Sequence, residues 1–174
     1  MAKTRTIRYR RRREDKTNYK KRISLLQSEK PRLVIRRSLK NMVIQLIEYK
    51  PSGDHIIVSA HSKELKKYNW EFSKGNIPSA YLTGLLIGKK ALAKKCKDII
   101  VDLGLQNPRK GTRLYAALKG VIDAGVKIPH DKEIFPSEER IKGEHIANNE
   151  FIKNEKAKDL PKVFEQCKEK IMKG

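Results

Sequence analysis

The stretch that decides the fold is residues 32–60, which read RLVIRRSLKNMVIQLIEYKPSGDHIIVSA. It contains three runs of mostly apolar and β-branched residues, at 32–38, 41–49 and 56–60, which are typical of β-strands. Turn-forming residues at 51–54 (PSGD) separate the second run from the third. Because parallel neighbours need a long crossover and these connections are short, the three runs predict an antiparallel meander.

The first of these runs alternates between two kinds of side chain. Leu33 and Ile35 stand at one set of positions, and Arg32, Val34 and Arg36 stand at the other. Successive side chains of a strand point to opposite faces of its sheet. The alternation therefore predicts that Leu33 and Ile35 face the core.

Two helices and one more strand are predicted after the meander. Pro78 stands where the first residue of a helix is expected, and helical spacing continues to about Cys96. An apolar run at 99–103 predicts a short buried strand, for which the preceding helix allows a parallel neighbour. Apolar spacing then predicts a helix from Leu114 to Gly125. The order βββαβα predicts an α/β protein, a compact sandwich with a mixed sheet.

Two features of this core have alternative interpretations. Residues 61–75 are predicted to form a polar loop, in which Tyr68 and Trp70 either stack on a base or lie at the edge of the core. A single tryptophan near a helix start is more often part of a core. Gly84 and Gly88 lie on one face of the first core helix and indicate close packing, which we expect to be of helix on sheet.

The chain is predicted to have three parts: a basic N-terminal arm with a short helix (1–30), the α/β core (31–128) and a helical C-terminal extension (129–174). The short helix is predicted from the helical spacing of Tyr19, Ile23 and Leu26. The last helix is predicted from a narrow apolar stripe: Leu160, Phe164, Cys167 and Ile171. We expect this stripe to pack on the core or on a neighbouring protein.

The first thirteen residues are the most basic part of a basic chain. They contain no acid and seven bases: Lys3, Arg5, Arg8, Arg10, Arg11, Arg12 and Arg13. The net charge is +21, of which residues 1–40 carry +13 and residues 136–174 only +1. Such dense like charge repels itself, so the arm is predicted to stay extended until a polyanion neutralises it. Nucleic acid offers the required row of phosphates, and a solvated tail, a localisation signal or a lipid-binding patch are the alternatives.

The sequence argues against an enzyme. Ribonuclease-H-like nucleases share the βββαβα order, but they need several carboxylates to hold divalent metal ions. Here the first strand supplies arginines, and Asp102 is the only acid in a predicted core strand after Glu48. The sequence has no P-loop, and its four histidines are scattered, so no catalytic residue, metal or cofactor is expected.

Location is predicted from what the sequence lacks. No apolar run is long enough to span a bilayer, and the charged start is unlike a signal peptide. Cys96 and Cys167 are far apart and form no CxxC pair, so they are expected to be reduced thiols in packing roles. These features predict a cytoplasmic protein without a membrane partner.

A second phosphate site is predicted at the start of the last core helix. Arg109, Lys110 and Arg113 flank this helix N-terminus, whose free N–H groups favour anions. A backbone phosphate of RNA is the expected occupant. A solvated helix start explains the same residues equally well.

A set of short segments over nearly the whole chain is distinctive in combination. The segments are Asn18-Tyr19 with Arg22, Leu25-Leu26, 31–36 (PRLVIR) with Ser38, Asn41 and Gln45, 80–86 (AYLTGLL) with Gly88, 102–105 (DLGL), 116–120 (AALKG), 128–130 (IPH), 135–141 (FPSEERI) and 143–146 (GEHI). Together they resemble the ribosomal protein L-eighteen family, in its archaeal and eukaryotic branch.

The resemblance implies a structural constituent of the large ribosomal subunit. Such a protein binds 5S ribosomal RNA and attaches it to the large ribosomal RNA in the central protuberance, with ribosomal protein L-five and other proteins of that region as partners. The RNA contacts that it implies are Arg5, Arg8, Arg10, Arg11, Arg12, Arg13, Tyr19, Lys20, Lys21, Arg22, Arg32, Arg36, Ser38 and Asn41. A general nucleic-acid-binding protein is the alternative on composition alone.

Overall fold

A four-stranded mixed sheet forms the centre of the protein. The computed structural model describes residues 6–96, 98–149 and 155–173. The strands are β1 (Arg32–Arg37), β2 (Met42–Lys50), β3 (Gly53–His61) and β4 (Ile100–Asp102). They lie in the order β3-β2-β1-β4, with β1, β2 and β3 antiparallel and β4 parallel to β1. The predicted meander and the predicted parallel neighbour are confirmed.

Helices precede, cover and follow the sheet. The α-helices of the described residues are α1 (Arg10–Arg13), α2 (Tyr19–Leu26), α3 (Ile77–Ala93), α4 (Arg113–Asp123), α5 (Glu138–Lys142), α6 (Glu144–Ala147) and α7 (Leu160–Lys173). Short 3-10 helices lie at Ser62–Tyr68, Lys132–Ile134 and Glu155–Asp159. The core order β1-β2-β3-α3-β4-α4 is the predicted βββαβα, which confirms the α/β class.

The face of the sheet that meets α3 is the hydrophobic core. Leu33 of β1 pairs with Leu46 of β2, and Ile35 pairs with Ile44. All four side chains are fully buried, as the alternation in the first strand predicts. Helix α3 is buried along almost its whole length, since α4, α7 and the sheet surround it. The opposite face of the sheet is therefore the one left for the N-terminal residues.

Helices α3 and α4 pack against each other through glycine. A Cβ on Gly84 would lie 2.8 Å from the carbonyl carbon of Ala117, and one on Gly88 would lie 2.5 Å from the Cβ of Ala124. Gly120 of α4 meets the α3 backbone in the same way, with Leu85 N 2.8 Å from the position of its Cβ. The prediction of helix-on-sheet packing was wrong, because these glycines face a second helix whose backbone approaches closely.

Residues 61–75 are more ordered than the predicted polar loop. The 3-10 helix Ser62–Tyr68 begins with a capping box, in which the His61 ring accepts from Lys63 N and Glu64 Oε1 accepts from His61 N. Trp70 is fully buried and donates its indole N–H to the carbonyl of Ser73 at 3.2 Å. Trp70 thus belongs to the core and not to a stacking surface.

The C-terminal extension packs on the core through the predicted apolar stripe. Its four residues are all at most 2% exposed on α7. Phe164 lies against the ring of Tyr81 on α3, with ring centroids 5.6 Å apart. Cys167 donates its thiol to the carbonyl of Tyr68 at 3.0 Å, and burial raises the pKa of this thiol. Of the two expected partners, the stripe therefore packs on this protein's own core.

Candidate nucleic-acid interface

The described part of the basic arm starts with exposed residues. Arg5 lies outside the described residues, and Arg8 is exposed. The four arginines of α1 are all exposed, but they form a helical turn and not the predicted extended chain. The turn forms because the Tyr9 carbonyl accepts from Arg12 N and Arg13 N, and because Glu14 pairs with Arg10 at 3.0 Å. The acid that follows the arm thus offsets part of its self-repulsion.

The arm folds back towards α2 instead of leaving the protein. Arg11 Nε donates to Thr17 Oγ1 at 2.9 Å, which closes the turn between the two helices. The rings of Tyr9 and Tyr19 lie 5.4 Å apart, centroid to centroid. Tyr19 is half-buried and Lys20 is exposed, so both side chains remain at least partly accessible.

Helix α2 is oriented by its polar residues and not by the predicted apolar face. Asn18 caps the helix, because its side-chain oxygen accepts from Lys21 N at 3.1 Å. Ile23 is 59% exposed, so the predicted Tyr19, Ile23 and Leu26 face is wrong at its middle position. Instead Arg22 bonds to Asp54 of β3 at 2.8 Å, and Lys21 Nζ donates to the carbonyl of Gly104 at 3.2 Å.

A network of three arginines and two aspartates links α2 to the outer face of the sheet. Asp54 Oδ1 accepts from Arg22 and also from Arg32, at 2.8 Å and 2.9 Å. Asp102 accepts from Arg32 through Oδ2 at 3.1 Å and from Arg36 through Oδ1 at 3.3 Å. The bond from Arg22 lowers the pKa of Asp54 although burial opposes it, and the same bond raises the pKa of Arg22.

Arg32 is the predicted contact that the structure places inside the protein. Its side chain is 2% exposed, and both of its terminal nitrogens are bonded to carboxylates. A buried guanidinium needs such partners because an unpaired buried charge is very unfavourable. This geometry therefore does not support direct contact of Arg32 with RNA. Instead, Arg32 joins β1 to β3 and β4.

We expect Arg32→Met to destabilise the fold by about 1–3 kcal/mol, because it removes both ion pairs of a buried group. Asp54 keeps Arg22 and Asp102 keeps Arg36 in this variant, which limits the loss. Thermal unfolding measures the change. Arg37→Met, at an exposed position of the same strand, is the control and should stay within about 0.5 kcal/mol of the wild type. A variant at Arg32 as stable as this control would contradict the buried network.

Between α2 and the outer face of the sheet lies an open groove of about 250 Å³. Six basic side chains line it: Arg11, Lys16, Lys21, Arg22, Arg32 and Arg36. Two acids, Asp54 and Asp102, lie among them, and Leu25, Val34 and Ile47 supply an apolar part of the lining. The fold thus brings basic residues from the arm, α2 and β1 to one place, which is the arrangement that a nucleic-acid backbone requires.

The two hairpin residues among the predicted contacts hold the turn between β1 and β2. Ser38 Oγ accepts from Asn41 N and donates to its carbonyl, both at 3.0 Å. Asn41 Oδ1 accepts from Ser62 at 3.3 Å. These bonds use the Ser38 hydroxyl and the Asn41 side-chain oxygen within the protein, although Ser38, like Leu39 and Lys40, is exposed at the tip.

The second predicted phosphate site is separate from the groove. Lys110 pairs with Glu133 at 2.9 Å, and Arg113 donates to the carbonyl of Gly75 at 2.5 Å. Arg109 is exposed near the start of α4, but none of these three bases lines the groove. The structure therefore gives two basic regions, of which the groove is the larger and the more convergent.

Other classes of site find no support in the described residues. In that part of the chain no group of three or more His, Cys, Asp or Glu is arranged to hold a metal ion. Asp102 is paired with Arg32 and Arg36. Nor does any helix within the described ranges have the length and apolar character needed to cross a membrane.

Comparison with known proteins identifies the family of this chain. The family model described as ribosomal large subunit proteins 60S L5 and 50S L18 matches residues 3–100, which include the arm, α2 and the whole sheet up to the start of β4. The chain belongs to this family. Its members are structural proteins of the ribosome and not enzymes, so the predicted absence of catalysis is confirmed.

Two relatives extend the 60S L5 and 50S L18 family match beyond the sheet. The large ribosomal subunit protein uL18 of Methanococcoides burtonii is 48% identical over 166 residues, which cover 95% of this chain and 93% of the relative. The protein of the same name from Korarchaeum cryptofilum is 51% identical over 142 residues, which cover 82% of this chain and 73% of the relative. The predicted family, in its archaeal and eukaryotic branch, is thus confirmed.

Sequence analysis missed the two acids of the groove. The sequence predicts that Asp54 lies in a turn, and it suggests no role for Asp102 other than that of a metal ligand. The available signal was Arg32, because a buried strand that contains an arginine needs carboxylates on neighbouring strands. Which acids supply them depends on the strand order, which places β4 beside β1.

Proposed function

We propose that this chain binds 5S ribosomal RNA and attaches it to the large ribosomal RNA in the central protuberance of the large subunit. The observation that carries the proposal is the groove between α2 and the sheet, where six basic side chains converge beside the basic arm. Family membership supplies the ribosomal setting. Ribosomal protein L-five and other proteins of the central protuberance are the proposed protein partners, in the cytoplasm.

The proposed RNA contacts are the predicted contacts other than Arg32, Ser38 and Asn41. They are Arg5, Arg8, Arg10, Arg11, Arg12, Arg13, Tyr19, Lys20, Lys21, Arg22 and Arg36, with Arg109, Lys110 and Arg113 as a second region. Those among them that the structure describes are exposed or half-buried. Most contacts should be to phosphate and ribose, since duplex RNA is read by its shape and its 2′-hydroxyls. Ser38 and Asn41 would then act by holding the hairpin, and Arg32 by holding the strands.

We propose that the three predicted parts of the chain divide this work. Residues 1–30 make most of the RNA contacts, residues 31–128 form the rigid support and add the contacts of Arg36 and of the second region, and residues 129–174 lie away from the RNA. The charge supports this division, because the last 39 residues are nearly neutral while the first 40 carry +13. A nearly neutral surface is attracted only weakly to phosphates and is better suited to contact with proteins.

The test is a gel-shift titration of the full chain with 5S ribosomal RNA, at several salt concentrations, against an unrelated RNA of equal length. We expect binding to 5S RNA that survives the competitor at physiological salt. A plot of log affinity against log salt should fall with a slope of about −0.7 to −0.9 for each phosphate contacted.

A general nucleic-acid-binding protein is the second candidate, and the high net charge is the observation that favours it. Such a protein would bind 5S RNA, unrelated RNA and duplex DNA equally well, because its affinity comes from charge alone. Equal binding in the titration would therefore replace the 5S-specific proposal with this one.

A further inference from the structure

The groove contains two carboxylates where a polyanion is expected to bind. The side chains of Asp54 and Asp102 are 31% and 12% exposed, so neither is simply a solvated surface acid. Each repels a nearby phosphate and reduces the positive charge of the groove. Their presence is explained only if they improve binding in another way or are needed for the fold.

Asp102 fixes one edge of the Arg36 guanidinium. Arg36 Nη1 donates to the carbonyls of Ile35 and Asp102 at 2.9 Å and 2.8 Å, and Nη2 donates to Asp102 Oδ1 at 3.3 Å. Within the described residues the Nε–H of Arg36 has no acceptor. In a planar guanidinium the Nε–H lies beside one hydrogen of Nη2, and such a pair matches two oxygens of one phosphate.

Gly104 completes the site around Arg36. Its N–H donates to Asp102 Oδ1 at 2.8 Å, which orients the carboxylate. Its φ of +62° is in the left-handed region, and a Cβ there would lie 2.9 Å from Cζ of Arg36. The guanidinium therefore rests directly on the Gly104 backbone, so Arg36 is held although its side chain is 43% exposed.

Asp54 acts on Arg22 in the same manner. One of its oxygens accepts from both Arg22 and Arg32, so a surface arginine of α2 is tied to a buried arginine of β1. Only Nη2 of Arg22 takes part in this bond, and the other N–H groups of this guanidinium remain for a ligand. The carboxylate of Asp54 thus orders the side chain of Arg22, which would otherwise move freely.

We propose that Asp54 and Asp102 are positioning residues for RNA binding, which hold Arg22 and Arg36 in fixed orientations along the groove so that each meets a backbone phosphate already ordered. The inference rests on the proposed RNA-binding function. An arginine that is ordered before binding loses less side-chain entropy when it meets its ligand. This gain offsets the repulsion from the two acids.

The expected effect of Asp102→Asn on RNA affinity is opposite to the one that net charge alone predicts. Asp102→Asn removes one negative charge from an RNA-binding groove, yet we expect it to weaken RNA binding about fivefold to tenfold because Arg36 loses its orientation. The salt slope should become shallower by about 0.7–0.9, the value for one lost phosphate contact. Glu169→Gln, which removes an exposed, ion-paired acid on α7, is the charge-matched control and should bind as the wild type does.

Gly104→Ala tests the same arginine without a change of charge. Its new Cβ would displace the Arg36 guanidinium, so we expect a similar loss of affinity and the same shallower slope. All titrations use the full chain at a temperature where circular dichroism shows each variant to be folded. If Asp102→Asn does not fold, Gly104→Ala gives the result alone.

The outcomes separate this inference from the function on which it rests. Weaker binding with a shallower slope in Asp102→Asn and Gly104→Ala, but not in Glu169→Gln, supports positioning. Wild-type affinity, or tighter binding, in both groove variants overturns it, and so does a loss of affinity with an unchanged slope. Equal binding of the wild type to 5S and competitor RNA would overturn the proposed function, and the variants would then be compared on the competitor RNA.

Discussion

Replacing Arg10, Arg11, Arg12 and Arg13 with alanine should weaken binding to 5S ribosomal RNA on the order of 100-fold at physiological salt. All four side chains are exposed on α1, and Arg10 is the one with a described ion pair. The salt slope should become shallower by about 3, since each phosphate contact contributes about 0.7–0.9. Titration at four or more salt concentrations measures both quantities.

The stability of the core should not change in this variant, because α1 buries no residue. The matched control removes four exposed charges from the C-terminal part, by replacing Lys158, Lys162, Lys170 and Lys173 with alanine. We expect this control to lose far less affinity, since long-range attraction is screened beyond about 10 Å. Equal losses in the two variants would show that net charge alone, and not the arm, determines binding. A large fall in melting temperature would instead make the arm part of the fold.

Gly84→Ala should have the largest effect on stability. Alanine in place of glycine usually stabilises a helix by about 0.5–1 kcal/mol. Here its Cβ would meet the backbone of Ala117, so α3 and α4 must move apart. We expect a net loss of about 3 kcal/mol, or a fall of about 10 °C in the melting temperature. Thermal unfolding followed by circular dichroism measures it.

A second pair of variants shows whether backbone contact is the cause. Gly88→Ala meets mainly the side chain of Ala124, so Ala124→Gly should restore much of the stability that Gly88→Ala loses. Ala117→Gly should restore none in Gly84→Ala, because the nearby atoms of Ala117 are backbone. Double-mutant cycles correct for the cost of each new glycine. A Gly84→Ala protein that melts with the wild type would contradict the close approach of α3 and α4.

The pattern of local elements could be read from the sequence because it depends on neighbours in the chain. Alternation predicted which residues of β1 face the core. The stripe on α7 was also correct, since its four residues share one face of a single helix. In both cases the signal is a local period, which tertiary contacts did not override.

The helix-packing error had a tertiary cause. Gly84 and Gly88 indicate that another element packs closely against α3, but a glycine does not specify whether that element is a strand or a helix. The orientation of α2 was misjudged for a similar reason, since the bond from Arg22 to Asp54 joins residues 32 positions apart. Contacts of this kind depend on strand order, which local patterns do not contain.

The α/β class, the basic character of the N-terminal end and the absence of a catalytic motif follow from the sequence alone, because composition and short-range periodicity carry these properties. Which arginines are accessible depends on the tertiary structure. Arg32 and Arg36 stand on the same face of one strand, yet one is 2% exposed and the other 43%. The difference arises because β3 and β4 bring Asp54 and Asp102 to the two terminal nitrogens of Arg32, and pairing makes burial of that charge possible.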